Sequence, residues 1–232
     1  MNYFIYASYV ALLFCLTTCF LHFLRLIRLG APKDLSDKSG NISAGVLYSN
    51  TSAMLPNQKE SAYKHLPTFT AGVIFHIGTF LAFFSFLFLI LDVIIPYKAS
   101  FFLLQYNIIS LFIALCLWIG TFIGIGLLIK RLTYKQLRPF SNFDDYFSVS
   151  LNTLFQLVSA ILFTIYAFSD YFSRYFNLKI FDFTFYAYYL VSAILFLYVP
   201  FSKMKHFIYY FSARYHLGFF YGRRGTWPPK KK

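Results

Sequence analysis

The stretch from Ala71 to Pro96 reads AGVIFHIGTFLAFFSFLFLILDVIIP, an apolar run broken by one histidine, His76, about a turn inside its first end, and by Asp92 near its far end. A run of this length suits a bilayer crossing, which takes roughly 20 helical residues at about 1.5 Å each. Composition supports that reading for the whole chain. Of 232 residues, 59% are hydrophobic, 23% aromatic and only 12% charged, too apolar for an ordinary soluble domain. The expected fold class is all-α, a polytopic membrane protein.

Four further apolar runs complete a bundle of five transmembrane helices. They are expected at 3–24, 71–96, 101–129, 146–168 and 181–201, within one membrane domain of residues 1–225 that ends in a cytoplasmic helical extension. The first is followed by Arg25 and Arg28 and lacks a charged leading end and a small-residue cleavage site, so it reads as a retained helix. The third carries Gly120, Gly124 and Gly126, which permit close approach of a neighbouring helix. Before the fourth stands LRPFSNFDD, in which Pro139 and Asn142 interrupt helix. Residues 29–64 are the one long polar segment, and their Gly, Pro, Ser and Asn content reads as a loop with a functional or partner-binding role. Residues 226–232 read as a mobile basic tail.

The net charge of +13 does not point to nucleic acid, because lysines and arginines cluster at the ends of apolar runs. It sets topology instead. The segments after the first and third runs and the C-terminal tail hold eighteen Lys and Arg residues, against three in the other two connections. The positive-inside rule then puts the N-terminus outside and the C-terminus in the cytoplasm of a cell inner membrane. Asn41 and Asn50 fit the glycosylation pattern but fall on the cytoplasmic side. Cys15, Cys19 and Cys116 lie inside apolar runs without CxxC spacing, and read as small buried residues.

The histidines carry the chemistry. A charged imidazole is costly in a membrane helix, so His76 is expected neutral and partnered. His206 follows Asp182 by 24 residues, which brings it to the depth of His76 on an antiparallel helix. Two imidazoles at one depth suit a bis-histidine b-type haem, whose iron they would ligate from opposite faces. The plain alternative for His76 alone is a histidine bonded to a backbone carbonyl.

Phe75-His76-Ile77-Gly78 and Pro200-Phe201-Ser202-Lys203-Met204-Lys205-His206, with a weaker RPFSNFDDY, resemble motifs of the gamma subunit of respiratory nitrate reductase and its relatives. Those relatives include cytochrome b subunits that work with heterodisulfide-reductase-like iron–sulfur proteins. The resemblance covers all five runs in order and implies that His76 and His206 hold a haem b, the one nearer the cytoplasm. At the positions of the family's outer-haem ligands this chain has Phe86 and Tyr188, which implies that the outer haem is missing.

Two more histidines are matched in sequence depth. His65 precedes His76 by eleven residues and His216 follows His206 by ten, about 15 Å further along a helix in each case. They would hold a second haem, serve a quinone or partner site, or stand as surface histidines. His22, a turn before Arg25, reads as an interfacial or packing residue. Lys203, Lys205 and Arg131 are candidates to neutralise haem propionates, although topology alone also accounts for basic residues there.

The expected function is electron transfer between membrane quinone and a cytoplasmic iron–sulfur subunit of a respiratory oxidoreductase complex. The chain has neither a CxxC cluster nor a GxGxxG motif to carry the rest of that path. The polar segment and ARYHLGFFYGRRGTWPP are the candidate docking surfaces. A membrane anchor or scaffold without redox chemistry is the alternative; a transporter would show internal repeats or broken helices around a midplane site.

Overall fold

The computed structural model describes residues 2–30, 34, 37–58, 64–94, 107–168 and 178–229. They form α1 (Asn2–Leu29), α2 (Ile42–Asn50), α3 (Leu66–Ile94), α4 (Asn107–Thr133), α5 (Phe143–Ala167), α6 (Leu178–Tyr198) and α7 (His206–Arg223), with short 3-10 turns between some of them and no strand among the described residues. The chain is all-helical. The helices α1, α3, α4 and α5 are each long and apolar enough to cross a membrane; a fifth span is reached only if α6 and the helix after its break are taken together.

The chain divides into two compact units. The first comprises Met1–Cys15 and Thr70–Lys203, the second Leu16–Phe69 and Met204–Lys232. In the first unit α5 is central, packing along α4 on one side and α6 on another. Two thirds of its apolar window is buried against 39% for α4, so α5 meets protein where α4 keeps a face for lipid. Its start is set by a capping box: Asn142 Oδ1 accepts from Asp145 N at 3.1 Å, and Asp145 Oδ2 accepts from Asn142 N at 3.0 Å. The helix therefore begins three residues before the Tyr146 expected from hydropathy. Around α5 the core is aromatic, with Phe86, Phe155, Phe163, Tyr188 and Tyr189 all at most 1% exposed.

Glycine gives the same unit its closest helix contacts. A Cβ on Gly120 would lie 2.3 Å from Gln156 Oε1, and one on Gly124 would lie 2.4 Å from Thr153 Oγ1. Gly126 faces open space, so only two of the three glycines serve the expected close approach.

The second unit corrects the reading of residues 29–64 as loop. Ile42–Asn50 is a helix, capped by Asn41 Oδ1, which accepts from Ala44 N at 3.2 Å, and it packs along α7. The packing is backbone on backbone: a Cβ on Gly45 would stand 2.4 Å from Gly222 Cα, and one on Gly218 would stand 2.5 Å from Val46 Cα. Side chains lock the pair. Ser49 Oγ donates to Arg214 O at 2.6 Å, and the Arg214 guanidinium donates through Nε and Nη2 to Ser49 O near the end of α2. The expected mobile tail is likewise partly fixed, since Thr226 N and Trp227 N both donate to Tyr221 O. The Trp227 ring lies 4.8 Å from Tyr221 and 5.4 Å from Tyr48, with the Arg214 guanidinium over it. Residues 230–232 lie outside the described part.

Candidate functional site

His76 sits ten residues into α3, nearly three turns from its start rather than one, because the helix begins at Leu66 ahead of the purely apolar run. The backbone starts it early: Thr68 N and Phe69 N both donate to His65 O at 3.0 Å, and Pro67 occupies a first-turn position where its missing N–H is not needed. Within the first unit Phe75 is buried and His76 is exposed, so α3 presents the imidazole away from the protein core.

The ring's tautomer follows from its neighbour. His76 Nδ1 lies 2.6 Å from Gly72 O, and a carbonyl can only accept, so Nδ1 carries the proton. The neutral ring then bears its lone pair on Nε2. This is the state in which histidine ligates iron or zinc, with the second nitrogen anchored on a backbone carbonyl. The geometry gives His76 the expected partner, and it is equally that of the plain reading of a histidine bonded to its own helix.

His206 opens α7 in the second unit and is exposed. His216, on the same helix, is half-buried with its ring 5.6 Å from that of Tyr215. His65 is exposed at the entry to α3, where its carbonyl serves as the helix cap. His22 belongs with Tyr209: the tyrosine hydroxyl and His22 Nδ1 are 3.3 Å apart. That matches the packing role expected of His22.

Two of the three suggested propionate contacts, Lys203 and Arg131, are engaged by a carboxylate. Lys203 Nζ lies 2.8 Å from Asp145 Oδ2 and Arg131 Nη1 3.4 Å from Asp145 Oδ1, so the two cations divide the oxygens of one aspartate. Asp144 beside it accepts from Lys203 N at 2.7 Å, from Ser148 Oγ at 3.0 Å and from the Tyr198 hydroxyl. The NFDDY segment thus clamps the end of α4, the start of α5 and the residues that leave α6.

Phe86 and Tyr188, at the positions from which the loss of an outer haem is expected, pack on each other with ring centroids 6.0 Å apart. Phe196 lies 4.8 Å from Phe86, and Phe155 stacks on Tyr188 at 6.0 Å. The space between α3, α5 and α6 at this level is filled with aromatic rings.

Sequence reasoning missed a polar knot between α3 and α5. Thr79 Oγ1 donates to Phe75 O at 2.8 Å and accepts from Asn152 Nδ2 at 2.7 Å and Gln156 Nε2 at 2.8 Å. Gln156 Nε2 also donates to Phe75 O at 3.1 Å. The signal was present as Asn152 and Gln156, two amides one turn apart in an apolar run. Among the described residues no group of three or more His, Cys, Asp or Glu side chains is placed to hold a metal ion. No protein-family profile, characterised protein or solved structure matches the chain.

Proposed function

We propose that this chain is a five-span membrane cytochrome b subunit, with His76 and His206 as axial ligands of haem b, passing electrons between membrane quinone and a cytoplasmic iron–sulfur partner. Haem b supplies one-electron exchange when bound. The observation that carries the reading is the tautomer of His76, whose Nδ1–H is held by Gly72 O so that Nε2 is the ligating nitrogen. His206 enters from its sequence depth and from the motif around it. The N-terminus is placed outside and the C-terminus in the cytoplasm of the inner membrane by the distribution of basic residues. The partner's docking surface is assigned to the end of α7 with Trp227 and the face of α2 beside it, where tryptophan, tyrosine and arginine gather.

The test is a reduced-minus-oxidised optical spectrum of the purified protein. A low-spin b-type signal that disappears in His76→Ala and in His206→Ala is expected; a normal spectrum in both variants would overturn the ligand assignment. A folded wild-type protein without colour would leave the anchor or scaffold reading. Haem per polypeptide is expected to be one in the wild type and one in His65→Ala. Two falling to one would instead make His65 and His216 ligands of a second haem.

A further inference from the structure

Between Lys205 and Arg223, α7 carries HFIYYFSARYHLGFFYG, in which the one charged side chain, Arg214, is bound to Ser49 O. Its second half is covered by α2 through the buried Gly218 and Gly222. The first half meets α1 through Tyr209, which touches His22, and leaves Phe207, Phe211 and Tyr215 on another side. Phe207, Tyr209, Phe211, Tyr215 and Leu217 are 36% to 62% exposed, and no residue from 206 to 217 is fully buried. So many aromatic rings around one helix do not suit water. Nor do they suit the hydrocarbon centre, since three tyrosines, two histidines and an arginine fall within those twelve residues. Rings with a polar tip belong at the level of the lipid headgroups.

Position and charge point the same way. Only residues 199–205 separate α6 from α7, a tether of at most about 25 Å. Tyr209 touches His22, which lies in the last third of the membrane-length helix α1. Basic residues flank the aromatic stretch, with Lys203 and Lys205 before it and Arg223, Arg224 and the sequence Lys230 to Lys232 after it. The second unit as a whole has thirteen Lys and Arg against three Asp and Glu. Such charge is complementary to anionic headgroups.

We propose that α7 is an interfacial helix, its first three turns lying along the headgroup–acyl boundary of an anionic bilayer with Phe207, Phe211 and Tyr215, which share one face, as lipid contacts, while the 21 residues of α6 cross the bilayer by themselves. The occupant of this face is lipid, and the partner-binding end of α7 begins where α2 covers it.

The experiment uses full-length protein in phosphatidylcholine–phosphatidylglycerol vesicles, with Cys15, Cys19 and Cys116 replaced by Ala. Single cysteines at 207, 211 and 215, which share one face of the helix, carry a nitroxide, whose depth is read from collisions with oxygen and with a water-soluble nickel relaxant. A label that prevents folding, judged by size-exclusion chromatography, is moved to 208. The labels are expected to share one depth within about 5 Å, close to the boundary. A steady change of about 12 Å from 207 to 215, the rise of a helix crossing the bilayer, would overturn the proposal in favour of a broken span. Labels reached by nickel and hidden from oxygen would overturn it by placing this face in water, and labels shielded from both would overturn it in favour of a protein-covered face.

Discussion

Thr79 shows how a membrane helix pair is held without charge. Its hydroxyl has one proton to donate and two lone pairs, and Phe75 O, Asn152 and Gln156 use all three. The amide oxygens on the other side of the knot, Asn152 Oδ1 and Gln156 Oε1, are buried without a hydrogen-bond partner. Gln156 Oε1 instead lies against Gly78 and Gly120, whose missing side chains make its room. Gly120→Ala should therefore lower stability by about 1 to 3 kcal/mol, because its Cβ would fall well inside contact distance of that oxygen. Gln156→Ala should cost about 1 kcal/mol for its interhelical hydrogen bonds. The double variant is expected to be more stable than the sum of the two predicts, since the clash vanishes with the amide; strictly additive losses in a detergent unfolding titration would show that Gly120 and Gln156 do not compete for space. His76 was legible in the sequence as the one histidine in an apolar run. The knot was not, because only folding shows that Thr79, Asn152 and Gln156 share a face.

The helices fall into two kinds according to what signals them. Hydropathy announces α1, α3, α4 and α5, since lipid demands long apolar stretches, and the helices run on past those stretches, by five residues at the end of α1 and four at the end of α4. At α5 the cap is Asn142. Asn142→Ala should cost about 1 kcal/mol and fray the first turn, measured as faster amide exchange at residues 143–146. The helix α2 gives no such signal, because the face it buries is Gly45 and Ser49 and its partner face is Gly218 and Gly222. Close backbone contact replaces an apolar stripe there, and glycine in a sequence reads first as loop. Gly218→Leu would drive a side chain into Val46 and Ser49, so α2 should detach from α7. Limited proteolysis is expected to cut residues 37–58 of that variant at least ten-fold faster than in the wild type, while α4 and α5, in the other unit, keep their resistance. Equal cleavage rates would mean that α2 is held by something other than this glycine contact.

At the scale of the whole chain, the unsettled quantity is the parity of its crossings. Among the described residues four helices qualify as spans by themselves, and the Asp182–Tyr198 part of α6 does so only together with the helix beyond residues 199–202. With four crossings both termini share one side of the membrane; with five they are opposed. The proposed five crossings rest on the basic residues, because Lys and Arg near span ends resist translocation. Eighteen lie from Arg25 to Lys64, from Lys130 to Arg138 and from Lys203 onward, and three, Lys98, Arg174 and Lys179, lie in the connections after the second and fourth apolar runs. Those two groups fall on opposite faces only if α6 crosses, which would put the end of the chain with the majority. A reporter active only in the cytoplasm, fused after Lys232, should therefore be active, and one active only outside should be silent at that position. An N-terminal fusion should give the opposite pair of results. If both ends reported from the same side, α6 would not be a span, and the length of chain from Leu178 onward would have to be accommodated without crossing. An active outside reporter after Lys232 together with a silent one at the N-terminus would invert the topology, and the basic second unit would then lie on the outer face, away from any cytoplasmic electron-transfer partner.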